Sequence, residues 1–205
     1  MKREKLNLGE KVAVICEGGA ETAIMEMLLD AGRLIFTEED LFYDEIIRCR
    51  SAEIFEQRYL KVRMDFRLTI IRVLDSRREN FRLSKPYCDE VDVINVITAP
   101  EIEMLIILNE GKYDQFKKSG KKPSEYCKQI FKNENLKSRK WVKEYFRNID
   151  DLVHSIQMYD HVSDVRKGEY TVERRNLSGT DDGFFSEIFA GMTTDYERSD
   201  TLLAG

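Results

Sequence analysis

The run Lys11 to Gly32, KVAVICEGGAETAIMEMLLDAG, admits few folds. Val12 to Cys16 is continuously apolar and short, the pattern of a strand buried on both faces. It stops at Glu17-Gly18-Gly19, and from Glu21 the apolar spacing turns helical, with Ile24, Met27, Leu28 and Ala31 on one face. Strand, glycine turn and helix follow without a gap, and Gly32 stands where a helix C-cap is expected. An acid at the carboxyl end of a buried parallel strand lies at the edge where open α/β sheets bind their ligands. Glu17, directly after five apolar residues, therefore requires a cation, a donor or a functional use. Glu21, one helical turn later, is near enough to share its site.

The same alternation continues downstream. Arg33 to Phe36 reads as a short strand, and Phe42, Ile46, Ile47, Ile54, Phe55 and Leu60 suggest helical structure to about Arg63, with a break near Ser51. FRLTIIRVL (Phe66 to Leu74) is β-branched and ends on Asp75; VDVINVIT (Val91 to Thr98) is a further strand. Pro100 opens the apolar helix PEIEMLIILNEG, closed by Gly111. Pro123-Ser124 starts a helix over SEYCKQIFK, and Ser138 starts another over RKWVKEYFRNIDDLVHSIQMY. These patterns predict an α/β core over residues 1–110, a basic helical extension packed on it over 111–167, and a tail over 168–205 that is partly ordered at best, with DDGFFSEIFAGM as a short docking helix.

Composition closes off several function classes. A formal net charge of -5 argues against a uniformly basic coat for nucleic acid, and no apolar run reaches the roughly 20 residues that span a bilayer. The start, MKREKLNLGE, is polar, so no secretion leader is expected and a cytoplasmic location is. Cys16, Cys49, Cys88 and Cys127 are widely spaced without a C-x-x-C pair, which favours reduced thiols over a zinc ribbon. His154 and His161, seven apart on a helical pattern, could share a face, but no acidic or thiol ligand has an obvious place with them, so a metal role is not expected. No complete phosphate loop or dinucleotide fingerprint appears, which disfavours an ordinary nucleotide-binding enzyme.

Two acids terminate apolar strands, Glu17 and Asp75. If those strands are parallel neighbours, both carboxylates reach one edge, and two hard oxygen donors there suit Mg²⁺ or Mn²⁺. Such an ion polarises a phosphoryl oxygen and orients water for phosphodiester cleavage. The bland alternative is that these acids belong to turns and that Glu21 and Glu26 face solvent.

The strand-EG-x-x-E-helix opening, the later strand ending on Asp75, and the strand before VITAPEIEMLIIL together resemble the Toprim fold, the catalytic domain of topoisomerases, primases and OLD (overcoming lysogenization defect) nucleases. The resemblance is closest to the small RloB-type Toprim proteins found beside restriction and phage-defence genes, and spans about Val12 to Leu108, more loosely to Tyr159. It implies a parallel-sheet sandwich and a divalent-metal-dependent nuclease of DNA or RNA, in anti-phage or restriction-associated defence. The family's catalytic acids fall on Glu17, Glu21 and Asp75, and its later glutamate on Glu103. Glu17 would act as general acid/base or metal ligand and Asp75 would bind the ion.

One position departs from the family. Its D-x-D pair reads Asp75-Ser76-Arg77 here, so the second carboxylate is a cation, which weakens metal binding by Coulomb repulsion. Glu79 is the nearest replacement ligand, and Arg77 and Arg78 are suited to phosphate. The alternative is therefore a catalytically impaired Toprim module that binds nucleic acid, a defence-system protein or a second copy of itself. Lys112 to Lys143 holds eleven Lys or Arg against three Asp or Glu, with Tyr113, Phe116, Tyr126, Phe131 and Trp141 interleaved. The helical spacing of the rings points to core, while Lys117, Lys118, Lys121 and Lys122 form a candidate nucleic-acid patch.

Overall fold

The computed structural model describes residues 8–74, 81–88, 90–97, 101–132 and 135–162. Strands β1 (Lys11–Cys16), β2 (Leu68–Leu74) and β3 (Val91–Ile97) form a parallel sheet in the order β1-β2-β3. The register sets Cys16 beside Val73 and Val73 beside Val96, so all three carboxyl ends open at one edge. Residues 168–205 and the segment DDGFFSEIFAGM lie outside the described residues.

Strand alternation divides the apolar residues between two cores. Val12, Val14 and Cys16 of β1, Ile71 and Val73 of β2, and Ile94 and Val96 of β3 face the larger one. Helix α1 (Gly19–Asp30) packs there through Ala20, Ala23, Ile24 and Leu28, while Met27 is half-buried and Ala31 exposed. Its end is closed as the glycine predicted: Gly32 has φ +62°, and Arg33 N–H donates to the Leu28 carbonyl at 2.8 Å. Ala13, Ile15, Leu68, Ile70, Val91 and Val93 face a smaller, aromatic core with Phe42, Phe55 and Phe81. Parallel strands covered on both faces define the α/β class.

Of the helical expectation over residues 42–50 only one 3-10 turn, Phe42–Asp44, is present, broken by the positive φ of Tyr43 and Asp44, and the rest departs from it for a backbone reason. The outer edge of β1 would otherwise be left open, and residues 41–47 supply its partners. Ile47 N–H donates to the Val14 carbonyl at 2.8 Å and Cys16 N–H to the Ile47 carbonyl at 3.0 Å, with bridges Val12–Leu41 and Ile15–Ile47. Helix α2 (Ala52–Tyr59) begins only after this segment, with the Ser51 hydroxyl capping Ile54 N–H. Arg33 to Phe36 forms no strand.

After the short helix α3 (Lys85–Cys88) and β3 comes α4 (Glu103–Asn109), whose residues 103–108 are all buried, as expected of a helix inside a core. Helices α5 (Tyr113–Ser119), α6 (Pro123–Ile130), α7 (Arg139–Tyr145) and α8 (Ile149–Val162) follow. The run predicted as one helix from Ser138 is two, because the Asn148 side chain accepts Asp150 N–H at 3.2 Å and starts α8 afresh. Tyr126, Val142, Phe146, Leu152 and Ile156 bring the basic extension into the same core as α1 and α4. Tyr113, Phe116, Phe131 and Trp141 pack against it half-buried, as their spacing indicated.

Phe55 is fully buried between the smaller core's rings. Phe55→Ala is expected to cost about 3–5 kcal/mol, read as a lower midpoint in urea unfolding at unchanged slope.

Candidate functional site

At the sheet's carboxyl edge Glu17 leaves β1 on the side of Ala13 and Ile15, where Arg72 of β2 also points. Its carboxylate is 8 % exposed, and Arg72 Nη2 lies 3.9 Å from Oε1. Arg72 itself is 1 % exposed on a strand buried throughout and, Thr69 aside, otherwise apolar, which would be costly without partners. The sheet supplies them: Nη1 donates to Asn95 Oδ1 at 3.0 Å from the paired position on β3, and the guanidinium lies 4.4 Å over the Phe81 ring. Arg50, 74 % exposed, approaches Glu17 Oε2 from solvent at 4.0 Å. Glu17 is thus flanked by two guanidinium groups.

Glu21 lies on the other side of the turn, buried in the first turn of α1. A Cβ on Gly18 would meet its carboxylate, so a side chain there would make Glu21 shift. Gly19 is needed for a second close approach, since a Cβ there would come within 3.0 Å of the Lys137 carbonyl and 3.2 Å of Arg139 N. The start of α7 therefore sits on the turn. Arg139 Nε reaches Glu26 Oε2 at 2.6 Å and Lys143 Nζ reaches the same oxygen at 2.9 Å, holding α7 to α1.

Glu103 begins α4 and is 3 % exposed, with Lys137 Nζ 3.3 Å from Oε1 and no hydrogen bond to Oε2. Burial pushes its pKa above the ordinary carboxylate value, more than the Lys137 ammonium offsets. Burial works against the Lys137 ammonium too, but its head is half in solvent, and Glu103, then Glu101 and Glu21, raise its pKa on balance. The neighbouring Cys127 thiol is pushed up to about 12 by burial and then by Glu103, so it is inert at neutral pH. Glu101 Oε2 accepts Ser124 N–H at 2.7 Å, which ties the start of α6, and the Lys121-Lys122 loop before it, to the Glu103 end of α4. Lys117, Lys118, Lys121 and Lys122 are all exposed.

The edge thus collects Glu17, Glu21 and Glu103, on both sides of one glycine turn. Asp75, Arg77, Arg78 and Glu79 lie outside the described residues. Among the described residues no three His, Cys, Asp or Glu converge as a metal cage. Glu17 is the described member of the expected metal set, and its hard oxygens suit Mg²⁺, although a metal would have to share them with Arg72 and Arg50. An open groove of ≈ 670 Å³ beside α1 has a lining of mixed charge, with Glu26, Asp30, Glu38, Asp44 and Glu45 facing Arg48, Arg139 and Lys143.

Sequence reasoning missed Arg72, Asn95, Arg50, Lys137 and Arg139. A signal existed for Arg72: it alternates with Leu68 and Ile70 on a core-facing row, where a lone cation must find a partner. The others are joined to the edge by tertiary contacts alone. The chain matches no family model, no curated protein and no solved structure.

Glu103 binds a proton more readily folded than unfolded, so its contribution to stability falls as pH rises through and above the ordinary carboxylate range. Glu103→Gln removes this loss. The variant's unfolding midpoint is expected to gain on the wild type as pH is raised from about 4 to about 7; parallel curves would show that the Lys137 pair cancels the burial cost.

Proposed function

We propose that the chain is a divalent-metal-dependent, Toprim-like nuclease that hydrolyses phosphodiester bonds of DNA or RNA. The observation that carries this reading is the parallel pairing of β1 with β2. It brings Glu17 to the same edge as the end of β2, after which the sequence continues with Asp75. Glu17, with Asp75 and Glu79, would hold Mg²⁺ or Mn²⁺, which supplies polarisation of the phosphoryl oxygen and an oriented water. Glu17 would serve as ligand or general acid/base, Glu21 would complete the acidic site from α1, and Glu103 would be an additional acid from α4. Arg77 and Arg78, with the lysines of residues 117–122, would contact phosphate. The resemblance to RloB-type and OLD proteins alone suggests a role in defence against foreign DNA.

A second reading is favoured by the two guanidinium groups beside Glu17. An acid already facing two cations is a poorer metal ligand, and the domain would then bind nucleic acid without cutting it. Incubating plasmid, single-stranded DNA and RNA with Mg²⁺ or Mn²⁺ separates the two. Cleavage by the wild type is expected to need metal and to fall by about 10²–10⁴ in Glu17→Gln. A folded wild type that binds but does not cut supports the second reading, and one that does neither removes both.

A further inference from the structure

Three buried or half-buried acids of this region, two at the sheet edge and one further along α1, are each paired with an exposed basic side chain. Arg50 stands over Glu17, Lys137 over Glu103, and Arg139 over Glu26, with the three cations 74 %, 51 % and 59 % exposed and the acids 8 %, 3 % and 18 %. The charges are thus layered, with carboxylates inside and cations outside. A ligand arriving from solvent meets the positive layer first, although the chain as a whole is acidic. The cations also share one location. Arg50 reaches Glu17, the residue before Gly18-Gly19, from the 41–51 side, and the backbone of Lys137 and Arg139 abuts Gly19 from the other.

We propose that Arg50, Lys137 and Arg139 grip the phosphodiester backbone of a nucleic-acid strand as it crosses the Gly18-Gly19 turn. This rests on the nucleic-acid reading above and adds which residues hold the strand. The chemistry follows from the side chains. Two guanidinium groups and an ammonium on long stems present charge-assisted donors that phosphate oxygens accept. Each cation is itself more than half exposed, which leaves donors turned toward solvent beside the contact with its acid. Each cation keeps its carboxylate partner on the inner side and offers its solvent-facing donors to phosphate, so the acids stay neutralised beneath the strand. The backbone is thereby laid across the acids, and the Lys117–Lys122 loop, tied to the same end through Glu101 and Ser124, extends the positive path beyond it. Contact with phosphate and not with base edges makes the grip indifferent to sequence.

Binding of fluorescent single-stranded DNA and RNA of several sequences, measured by anisotropy in EDTA across a salt series, tests the grip without any cleavage. Each of Arg50→Gln, Lys137→Gln and Arg139→Gln is expected to lower the slope of log affinity against log salt by about 0.7, and the triple variant by about 2. The charge-retaining triple R50K/K137R/R139K should keep the wild-type slope, which separates lost charge from misfolding. Arg33→Gln, at the far end of α1 and paired with Asp150, serves as the neutral control. A triple Gln variant that is folded by circular dichroism and keeps the wild-type slope overturns the inference while leaving nucleic-acid binding intact. A wild type that binds neither strand overturns the nucleic-acid reading and the inference with it.

Discussion

The site is built around a guanidinium buried in the sheet. Arg72 occupies a position where β2 otherwise places Leu68 and Ile70, and a cation there must be matched by its surroundings. Asn95 meets it across the strand pair, Phe81 covers its face, and Glu17 balances its charge from the end of β1. The acid at the edge therefore has a structural duty beside any chemical one. Removing Glu17 takes away one countercharge of the buried Arg72, so lost activity in such a variant has to be weighed against lost folding.

Around that centre the edge is assembled from both faces of the sheet. Glu17, Arg72 and Asn95 belong to the side of the aromatic core; Glu21, Glu103 and Lys137 belong to the side of the helical core. The Gly18-Gly19 turn is the seam between them, narrow enough that a methyl group at either glycine meets an atom from another part of the site. Such crowding sets the start of α7 against the turn, and Lys137 from that segment reaches Glu103 of α4.

Much of the fold was legible because it depends on local periodicity. The five-residue apolar run of β1, the β-branched run of β2 and the VDVINVI strand each stood where their patterns put them, and Gly32 ended α1 through its positive φ. Residues 42–50 misled because their apolar spacing fits a helix, whereas the open edge of β1 makes a stronger demand on their backbone. The break at Asn148 was missed because the apolar spacing runs straight through it. Of the site, Glu17, Glu21 and Glu103 could be singled out by position relative to strand and helix ends. Arg50, Lys137 and Arg139 could not, since nothing local distinguishes them from other surface cations; only their contacts with Glu17, Glu103 and Gly19 do.

The contact between Gly19 and the start of α7 also has a consequence in time. Glu17 and its turn leave the ribosome early, but Lys137 and Arg139 are made about 120 residues later. At ordinary elongation rates that gap is on the order of ten seconds. During it the nascent chain carries its first acids without the segment that seats the turn. The edge is completed only when α7 arrives, so whatever the site does waits for the segment that carries Lys137 and Arg139.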